Sequence, residues 1–510
     1  MTAIPSKLSI ELSREDAGVN SNAIRWILLA ALCVLSAGVG RLCYLVRPFD
    51  PDGAMFIYLG KMTSEGGRMC HDLVDNKFPG VGLMTSSAWR AFGPNWQAYV
   101  LLQFIMMLGA AAMLTRSAWR HFGKDAAIAT ALFALVYFNF NLAVFGGFQL
   151  ESLQIFFVVL AACAAMEVLC CDRPLDTFVV GLCAGTAMLL KPTGLAVAAS
   201  LAGALLIRHR HNRWRLFAHA GAMIGGIAIP LAALLSYLIA ADILRDMPGL
   251  YQQISRYAAS TLWQAEEWIK LPIILVFLGF PFIVLGWIYR KDARAGSRCY
   301  GGVALFAMLW LALEAAGIVM QRRMYAYHFL VLAPPAAILF GMIPRKIRVE
   351  SLAAALVPVA MLSIYCGAMA FEYSYRGEAT RLAVSDYLAT HAKPGDAVWQ
   401  DEMMRLLIET NLRPGARIPM SFLFANDDDA PLEYSAVMLK DFERIRPKYI
   451  VLQTDLPQVV DFQRHHIKEL GDVPARGENF ENAWRRIAEY VSDRYAPEAR
   501  VGRETIWRRK

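Results

Sequence analysis

Two aspartates, Asp50 and Asp52, stand one residue apart directly after the first long apolar run of the sequence. A carboxylate pair at this spacing can act as a general base, chelate a hard divalent cation, or be no more than solvated loop charge. Pro51 between them fixes one backbone φ angle and stiffens their spacing. Taken alone, the pair leaves all three interpretations open.

Residues 47–96, which contain this pair, form a predicted external loop with further charged groups. Asp72, Asp75 and Lys77 follow, close to an apolar stretch that we expect to lie at the membrane interface. Each charge alone fits a solvated surface. Together with the aspartate pair they form a cluster that indicates a site.

Three other positions carry polar groups beside apolar sequence. Glu151 begins an apolar run, where an acid can either contact a ligand or interact with the helix dipole. Lys191 interrupts two short apolar runs as Lys-Pro-Thr-Gly, which predicts a tight helical hairpin with the lysine at its tip. A third predicted external segment carries Arg322, Arg323, Tyr325, Tyr327 and His328. For these residues the alternatives are ligand binding, snorkelling to lipid headgroups and an interfacial aromatic belt.

The composition determines what kind of element must position these groups. Of 510 residues, 57% are hydrophobic and 18% are charged, against about 45–50% and about 25% in soluble domains. A transmembrane helix needs about 20 apolar residues. Eleven apolar runs reach or approach that length: 24–46, 97–115, 126–145, 152–171, 175–190, 194–207, 218–241, 271–289, 300–320, 329–343 and 351–371. We therefore predict an all-α polytopic membrane domain with about eleven transmembrane helices.

The distribution of charge predicts the orientation. Residues 1–371 hold 30 Lys/Arg and 20 Asp/Glu, a net charge of +10, whereas residues 372–510 hold 21 and 23, a net charge of −2. Lys/Arg-rich connections alternate with poorer ones, and the basic side is expected to be cytoplasmic. This predicts a cytoplasmic segment 1–23, a membrane domain 24–371 and an extracytoplasmic domain 372–510. The basic excess indicates topology, and nucleic acid is not an expected partner.

The C-terminal 139 residues are expected to form a small α/β domain. A helix is predicted over 379–391, and strands are predicted over 396–399 and 448–453. The aspartate run 427–429 is interpreted as a solvated loop. Glu167 and Glu314 lie in apolar runs and are expected to make interhelical hydrogen bonds. The nine cysteines include no CxxC pair, so neither a disulfide framework nor a zinc site is predicted.

The first loop carries a family resemblance. It is similar to the first periplasmic loop of bacterial GT-C membrane glycosyltransferases, relatives of protein O-mannosyltransferases and of the aminoarabinose transferases that modify lipid A. The residues that carry it are Asp50-x-Asp52, Phe56, Tyr58, Gly67 and Asp72-x-x-Asp75-x-Lys77-x-Pro79-Gly80. Further similarity lies in Glu151, Lys191-Pro-Thr-Gly194 and Arg323-x-Tyr325-x-Tyr327-His328. The resemblance spans roughly residues 25–345, and the tail resembles the small soluble domain of some members.

The resemblance implies a GT-C fold and an inner-membrane enzyme that moves a hexose or pentose from a polyprenyl-phosphate donor. The acceptor would be lipopolysaccharide, another envelope glycan or a protein outside the cytoplasm. An inverting transfer needs a base for the acceptor hydroxyl and positive charge for the departing phosphate. Asp52 is the expected base, and Asp50 is the second choice.

The remaining residues of the resemblance are expected to bind substrate: Asp72, Asp75, Lys77, Glu151, Lys191, Arg322, Arg323, Tyr325, Tyr327 and His328. The lysines and arginines are the candidates for the donor phosphate. A divalent cation, Mg, Mn or Ca, would be held by Asp50, Asp52 and Glu151, although the aspartate spacing is equally compatible with a metal-free reaction. Membrane lipids are the other expected partners.

Three competing functions remain. A transporter or flippase of lipid-linked saccharides would favour charges near the membrane midplane and an internal repeat. A ligase that transfers a whole glycan would favour a large central external loop, but the loop over 242–270 is modest. A non-catalytic receptor leaves the carboxylates of the first loop unexplained.

Overall fold

The computed structural model describes most of the chain and is mainly helical. The described residues are 7–46, 51–69, 71–75, 77–140, 148–260, 279–284, 298–321, 325–343, 346–401, 404–419, 429–452, 455–458, 461, 463, 478–502 and 504–510. Asp50, Arg322, Arg323 and two of the three aspartates of the run 427–429 therefore lie outside the described residues.

The first part of the chain consists of helices joined by short connections. They are α1 Lys7–Leu42, α2 Pro51–Ser64, α3 Gly80–Phe92, α4 Trp96–Phe122, α5 Lys124–Tyr137, α6 Leu150–Cys171, α7 Pro174–Leu190, α8 Ala196–Arg208, α9 Arg213–Ala240, α10 Met247–Ser260, α11 Arg298–Gln321 and α12 Ala333–Met342. The helix α13, Val349–His391, continues into the C-terminal part of the chain. Short 3-10 turns occupy Cys43–Val46, Pro192–Leu195, Leu244–Asp246, Ala326–Leu332 and Leu456–Gln458.

Six described segments are long and apolar enough to cross a membrane: Asn22–Val46, Trp96–Phe122, Leu150–Cys171, Arg213–Ala240, Cys299–Gln321 and Val349–Glu372. Pro174–Leu190, Pro192–Arg208 and Ala326–Met342 form shorter apolar helices. The predicted run 126–145 forms only the 14-residue α5 within the described part, and most of the run 271–289 lies outside it. The prediction of a polytopic helical domain is confirmed, and the count of about eleven spans stays a prediction.

The predicted external loop 47–96 is built largely of two helices, α2 and α3. The predicted hairpin around Lys191 is present. Lys191 has an extended backbone between α7 and the turn Pro192–Leu195, and a Cβ on Gly194 would lie only 2.6 Å from the carbonyl carbon of Ala187. Only glycine permits the chain to fold back so closely.

The C-terminal part is an α/β domain with a five-stranded mixed sheet. Its helices are α14 Met404–Thr410, α15 Ala430–Ile445 and α16 Glu478–Arg494, and its strands are β1 Ala397–Gln400, β2 Arg413–Pro414, β3 Tyr449–Leu452, β4 Tyr495–Val501 and β5 Glu504–Arg509. The strand order is β2-β1-β3-β5-β4. β2, β1 and β3 are parallel, and β5 pairs antiparallel with β3 and β4. Both predicted strands are confirmed as β1 and β3, and the helix predicted over 379–391 is the end of α13.

The buried residues divide into two main cores. One lies among the membrane helices and includes Phe133, Trp310 and Phe340. The other is shared by the first loop, the start of α6, the end of α7 and the C-terminal domain, and it includes Phe56 and Trp399. The C-terminal domain therefore folds against the predicted external loop and not as a separate body.

Two polar contacts fasten the first loop to the C-terminal domain. The Lys61 ammonium at the end of α2 donates to the carbonyl of Leu407 at 2.9 Å, and the Val74 N–H donates to the carbonyl of Arg417 at 2.8 Å. Burial lowers the pKa of Lys61, with Glu65 acting against the shift. A buried ammonium needs such a partner, because desolvation without one costs several kcal/mol.

The described basic connections lie at the end of the membrane domain away from Lys191. His121 at the end of α4 lies 3.1 Å from Glu167 near the end of α6, and Arg25 of α1 pairs with Glu350 of α13 at 2.7 Å. Glu167 therefore makes the predicted interhelical bond. Glu314 accepts a bond from Trp310 of its own helix at 3.0 Å, and the described part of the chain shows no interhelical bond for it. Trp310 and Glu314 are four residues apart, so the helix places both side chains on one face.

Candidate active site

Asp52 lies in the first turn of α2, where the helix dipole favours a carboxylate. Its Oδ1 is 3.7 Å from the Lys77 ammonium, which also lies 5.8 Å from the centre of the Phe56 ring. The Asp52 side chain is 34% exposed, and that of Lys77 is 22% exposed. A reachable carboxylate thus stands beside a lysine that is held over an aromatic face.

Asp72 has a different environment. It accepts a hydrogen bond from the backbone N–H of Arg68 at 2.8 Å, and one of its oxygens lies 2.6 Å from His71 Nδ1. Burial opposes ionisation, but these bonds outweigh it and lower the pKa of Asp72. Arg68 also faces Asp242 at 3.8 Å. These described contacts close the turn over 68–72 and link it to the chain after α9, and Asp75 is buried nearby.

A second charged group lies at the start of α6. The buried Glu151 accepts a bond from the Lys191 ammonium at 2.8 Å, with 4% of its side chain exposed against 22% for Lys191. His328 Nε2 lies 3.9 Å from the same carboxylate oxygen. The Gln154 amide donates to the carbonyl of Lys191 at 3.1 Å and to the Thr193 hydroxyl at 3.1 Å, which holds the hairpin tip. Glu151 is therefore held by its bond to Lys191, while the Lys191 side chain remains partly exposed.

An aromatic group adjoins this pair. The rings of Tyr325 and Tyr327 are stacked with their centres 5.4 Å apart. The His328 ring meets both edge to face, at 5.5 Å from Tyr325 and 4.7 Å from Tyr327. Tyr325 and the turn Ala326–Leu332 that follows it thus place two tyrosines around His328, which lies beside the Glu151–Lys191 pair. Stacked ring faces of this kind are suited to a sugar or to a cationic group.

A close backbone contact joins the two charged groups. Gly80 begins α3, three residues after Lys77, and a Cβ on it would lie 2.2 Å from the carbonyl oxygen of Leu189, two residues before Lys191. The first loop and the hairpin tip therefore touch without a side chain between them. The structure brings Asp52, Lys77, Glu151, Lys191 and His328 to one end of the membrane domain.

Sequence reasoning missed Arg41, which is fully buried near the end of α1. Its guanidinium donates to Gln103 Oε1 at 2.9 Å, to the Ser152 hydroxyl at 3.2 Å and to the carbonyl of Phe138 at 3.3 Å. Because Ser152 follows Glu151, this network holds the start of α6. The sequence did contain one indication of its role, an arginine inside the first apolar run, because charged residues within membrane segments are candidate functional residues.

The prediction of no disulfide framework is contradicted at one place, where Cys170 at the end of α6 is bonded to Cys299 in α11. The two cysteines are 129 residues apart, and no spacing motif announces such a pair. The bond lies at the basic end of the membrane domain, away from the candidate active site.

Comparison with known proteins agrees with this architecture. Residues 76–239 match the family model of the dolichyl-phosphate-mannose-protein mannosyltransferases. The structure is similar to that of ArnT from Cupriavidus metallidurans bound to undecaprenyl phosphate, with a TM-score of 0.59, 13% identity, and coverage of 94% of this chain and 97% of that one. The apo state of the same protein gives a TM-score of 0.58, 14% identity, and coverage of 95% and 98%. No curated protein matches the sequence.

The structural match covers 94% of the chain, and the family match includes the last part of the predicted loop 47–96. The family match includes Lys77, Glu151 and Lys191, three of the charged residues that the structure brings together. The structural similarity extends over the C-terminal domain as well. The predicted resemblance is therefore confirmed: the chain has the fold of the GT-C membrane glycosyltransferases, and residues 76–239 match the mannosyltransferase family among them.

Proposed function

We propose that the protein transfers one sugar from a polyprenyl-phosphate donor to an acceptor on the outer side of the membrane. The observation that carries this proposal is an accessible carboxylate, Asp52, paired with Lys77, with a second lysine, Lys191, bonded to Glu151 at the same end of a GT-C fold. The solved ArnT structure contains undecaprenyl phosphate, which supports a lipid donor of the same chemical class.

The difference in exposure separates the roles of the two acids. Asp52 is the general base, because its carboxylate is one-third exposed and can reach an acceptor hydroxyl. Glu151 is nearly buried and already bonded to Lys191, so it orients the lysine. Asp50 supports Asp52 or replaces it as base.

Fixed positive charge binds the donor phosphate and stabilises it as it departs. Lys77 and Lys191 supply that charge, and Arg322 and Arg323 are the further candidates. Tyr325, Tyr327 and His328 hold the sugar or the phosphate beside Lys191, while Asp72 and Asp75 shape the loop that carries Lys77. Attack by the acceptor on the face opposite the phosphate gives inversion.

A divalent cation would serve the same departing phosphate. Asp52 offers an accessible carboxylate toward it, and Asp50 is a further candidate ligand. Glu151 would join them only by giving up its bond to Lys191. Carboxylate oxygens are the ligands that Mg²⁺, Mn²⁺ and Ca²⁺ prefer. The acceptor is lipopolysaccharide, another envelope glycan or a protein.

The test uses the purified full-length protein in lipid with synthetic polyprenyl-phosphate hexoses and pentoses, and it follows the release of free polyprenyl phosphate. Asp52→Asn should lower turnover by about 10²-fold or more, as expected when a general base is removed. Asp176→Asn is the matched control, because it makes the same change at the start of α7, roughly 22 Å of helix from Lys191. Added EDTA tests the cation.

Two results would overturn a part of the proposal. Unchanged turnover in Asp52→Asn would contradict the assignment of Asp52 as the base and leave Asp50 in that role. If no donor is consumed even with an envelope extract as the acceptor source, the transferase assignment is wrong and a transporter becomes the better explanation.

A further inference from the structure

A cluster of three metal-binding side chains lies at the opposite end of α6 from Glu151. Asp172 follows the last residue of α6, His209 follows α8, and His219 lies in the second turn of α9. Since α6 has 22 residues and rises about 1.5 Å per residue, this cluster is roughly 30 Å from the candidate active site.

The three side chains converge on one point. His209 Nε2 lies 2.9 Å from Asp172 Oδ1, and His219 Nε2 lies 3.2 Å from the same oxygen. One ligand atom from each residue lies within 4.8 Å of the others. Two ligands on a tetrahedral zinc ion, each about 2.0–2.1 Å from it, would be about 3.4 Å apart. A small adjustment of the side chains would therefore accommodate an ion.

Neighbouring residues hold these ligands in place. The Thr177 hydroxyl on α7 lies 2.7 Å from His219 Nδ1, so the hydroxyl occupies that nitrogen and leaves Nε2 directed at Asp172. Arg215 binds the other carboxylate oxygen, Oδ2. Metal-binding histidines usually have such a partner on the second ring nitrogen, and bound carboxylates are usually hydrogen-bonded.

Burial also favours a bound ion. His219 is 2% exposed, His209 is 9% exposed and Asp172 is 15% exposed. Asp172 remains accessible enough for water to complete the coordination.

We propose that Asp172, His209 and His219 form a zinc site with three protein ligands that ties together the ends of α6 and α8 and the start of α9 at the basic face of the membrane domain. Two imidazoles and one carboxylate suit a borderline divalent ion such as Zn²⁺. The proposal is independent of the transferase activity, because the site lies at the far end of α6. It revises the expectation from cysteine spacing that the chain has no zinc site.

A second group of potential zinc ligands lies close by, and the experiment must distinguish zinc bound there from zinc bound to Asp172, His209 and His219. His121, Cys170 and Cys299 also place ligand atoms within 4.8 Å of one another. The two cysteines are joined as a disulfide, but reduction would release two thiolates, which bind zinc tightly. A zinc measurement without variants would not distinguish these two places.

The experiment uses the full-length protein in detergent, stripped with a chelator and reloaded with zinc under reducing conditions. Zinc per chain is measured by mass spectrometry after gel filtration, and Tm is measured with and without zinc. His209→Gln and His219→Gln should lose the retained zinc and the zinc-induced rise in Tm. Thr177→Val should keep the ligands but weaken zinc binding by about 10-fold.

Two controls complete the design. His211→Gln makes the same substitution at an exposed histidine two residues from His209 and should behave as wild type. Cys170→Ser with Cys299→Ser should also retain one zinc per chain. The proposal is overturned if wild type retains no zinc, if His209→Gln and His219→Gln bind it unchanged, or if only the cysteine variant loses it.

Discussion

At the scale of single residues, the site is defined by which charges are neutralised and which remain reachable. Glu151 and Lys191 form a close pair in which the acid is almost fully buried and the lysine is partly exposed. Asp52 and Lys77 are more loosely paired, and both remain partly exposed. The first pair can therefore serve as a fixed support, and the second can change partners during a reaction.

The Glu151–Lys191 pair can be tested by a double-mutant cycle. Glu151→Gln alone leaves a poorly compensated ammonium, and we expect it to lower the free energy of unfolding by about 3 kcal/mol, the lower end for a buried pair. Adding Lys191→Met removes that charge and should recover part of the loss, while donor turnover stays low in both variants. Unfolding in one detergent and the donor assay measure the two quantities.

Lys124→Met at the start of α5 is the control for a lysine lost from the opposite, basic end. It should leave both stability and turnover near wild type. If the two pair mutations prove additive in stability, Glu151 and Lys191 do not support each other in the way that the structure indicates.

At the scale of elements, the site depends on a close approach between α3 and the end of α7. Neither helix carries the whole site, because Lys77 precedes α3 and Lys191 follows α7. The contact of Gly80 with Leu189 sets the distance between α3 and the end of α7. On its other side, the first loop is held by the C-terminal domain through the hydrogen bond from Lys61 to the carbonyl of Leu407.

Gly80→Ala tests this approach directly. The added methyl group would overlap the Leu189 carbonyl oxygen, at 2.2 Å, so the first loop and the hairpin tip must separate. A misplacement of about 1 Å can lower catalysis by about 10²-fold, and we expect donor turnover to fall by at least about 10-fold. The measurement is the donor assay, with folding checked by thermal unfolding.

Gly221→Ala is the matched control, since a Cβ on that helical glycine meets nothing within 4 Å. It should leave turnover unchanged and slightly favour the helix. Equal turnover in Gly80→Ala and wild type would mean that the contact between α3 and α7 does not set the geometry of the site.

At the scale of the whole molecule, the candidate active site and the basic end lie at opposite ends of the membrane domain. The candidate active site and the C-terminal domain share one core. The described basic connections, the Cys170–Cys299 bond and the proposed zinc site lie at the other end. This arrangement predicts that the end with the C-terminal domain faces out of the cytoplasm, because Lys/Arg-rich connections stay inside.

The orientation can be measured by cysteine labelling of the full-length chain in cells. Lys440→Cys in α15 and His211→Cys between α8 and α9 both replace exposed residues. A membrane-impermeant maleimide should label Lys440→Cys in intact cells above the wild-type background, and His211→Cys only after the membrane is opened. The reverse pattern would contradict both the orientation and an outward-facing active site.

The sequence by itself determined the class of the protein and most of the residues of its candidate site. Apolar runs, basic connections and helix-breaking residues are local features, so they predicted the helical membrane domain, the Lys191 hairpin and the strands β1 and β3. The spacing of charges in the first loop carried the family resemblance. These signals need only the residues within one element or one loop.

Only the tertiary structure decided which groups meet. Glu151 and Lys191 are 40 residues apart, Arg41 and Ser152 are 111 apart, and Lys61 and Leu407 are 346 apart. The side chains of Asp172, His209 and His219 also converge from three separate elements. Such pairs arise from the packing of elements, because burying a charge requires a partner wherever the chain can supply one. The local periodicity of the sequence does not indicate which distant residues will become partners.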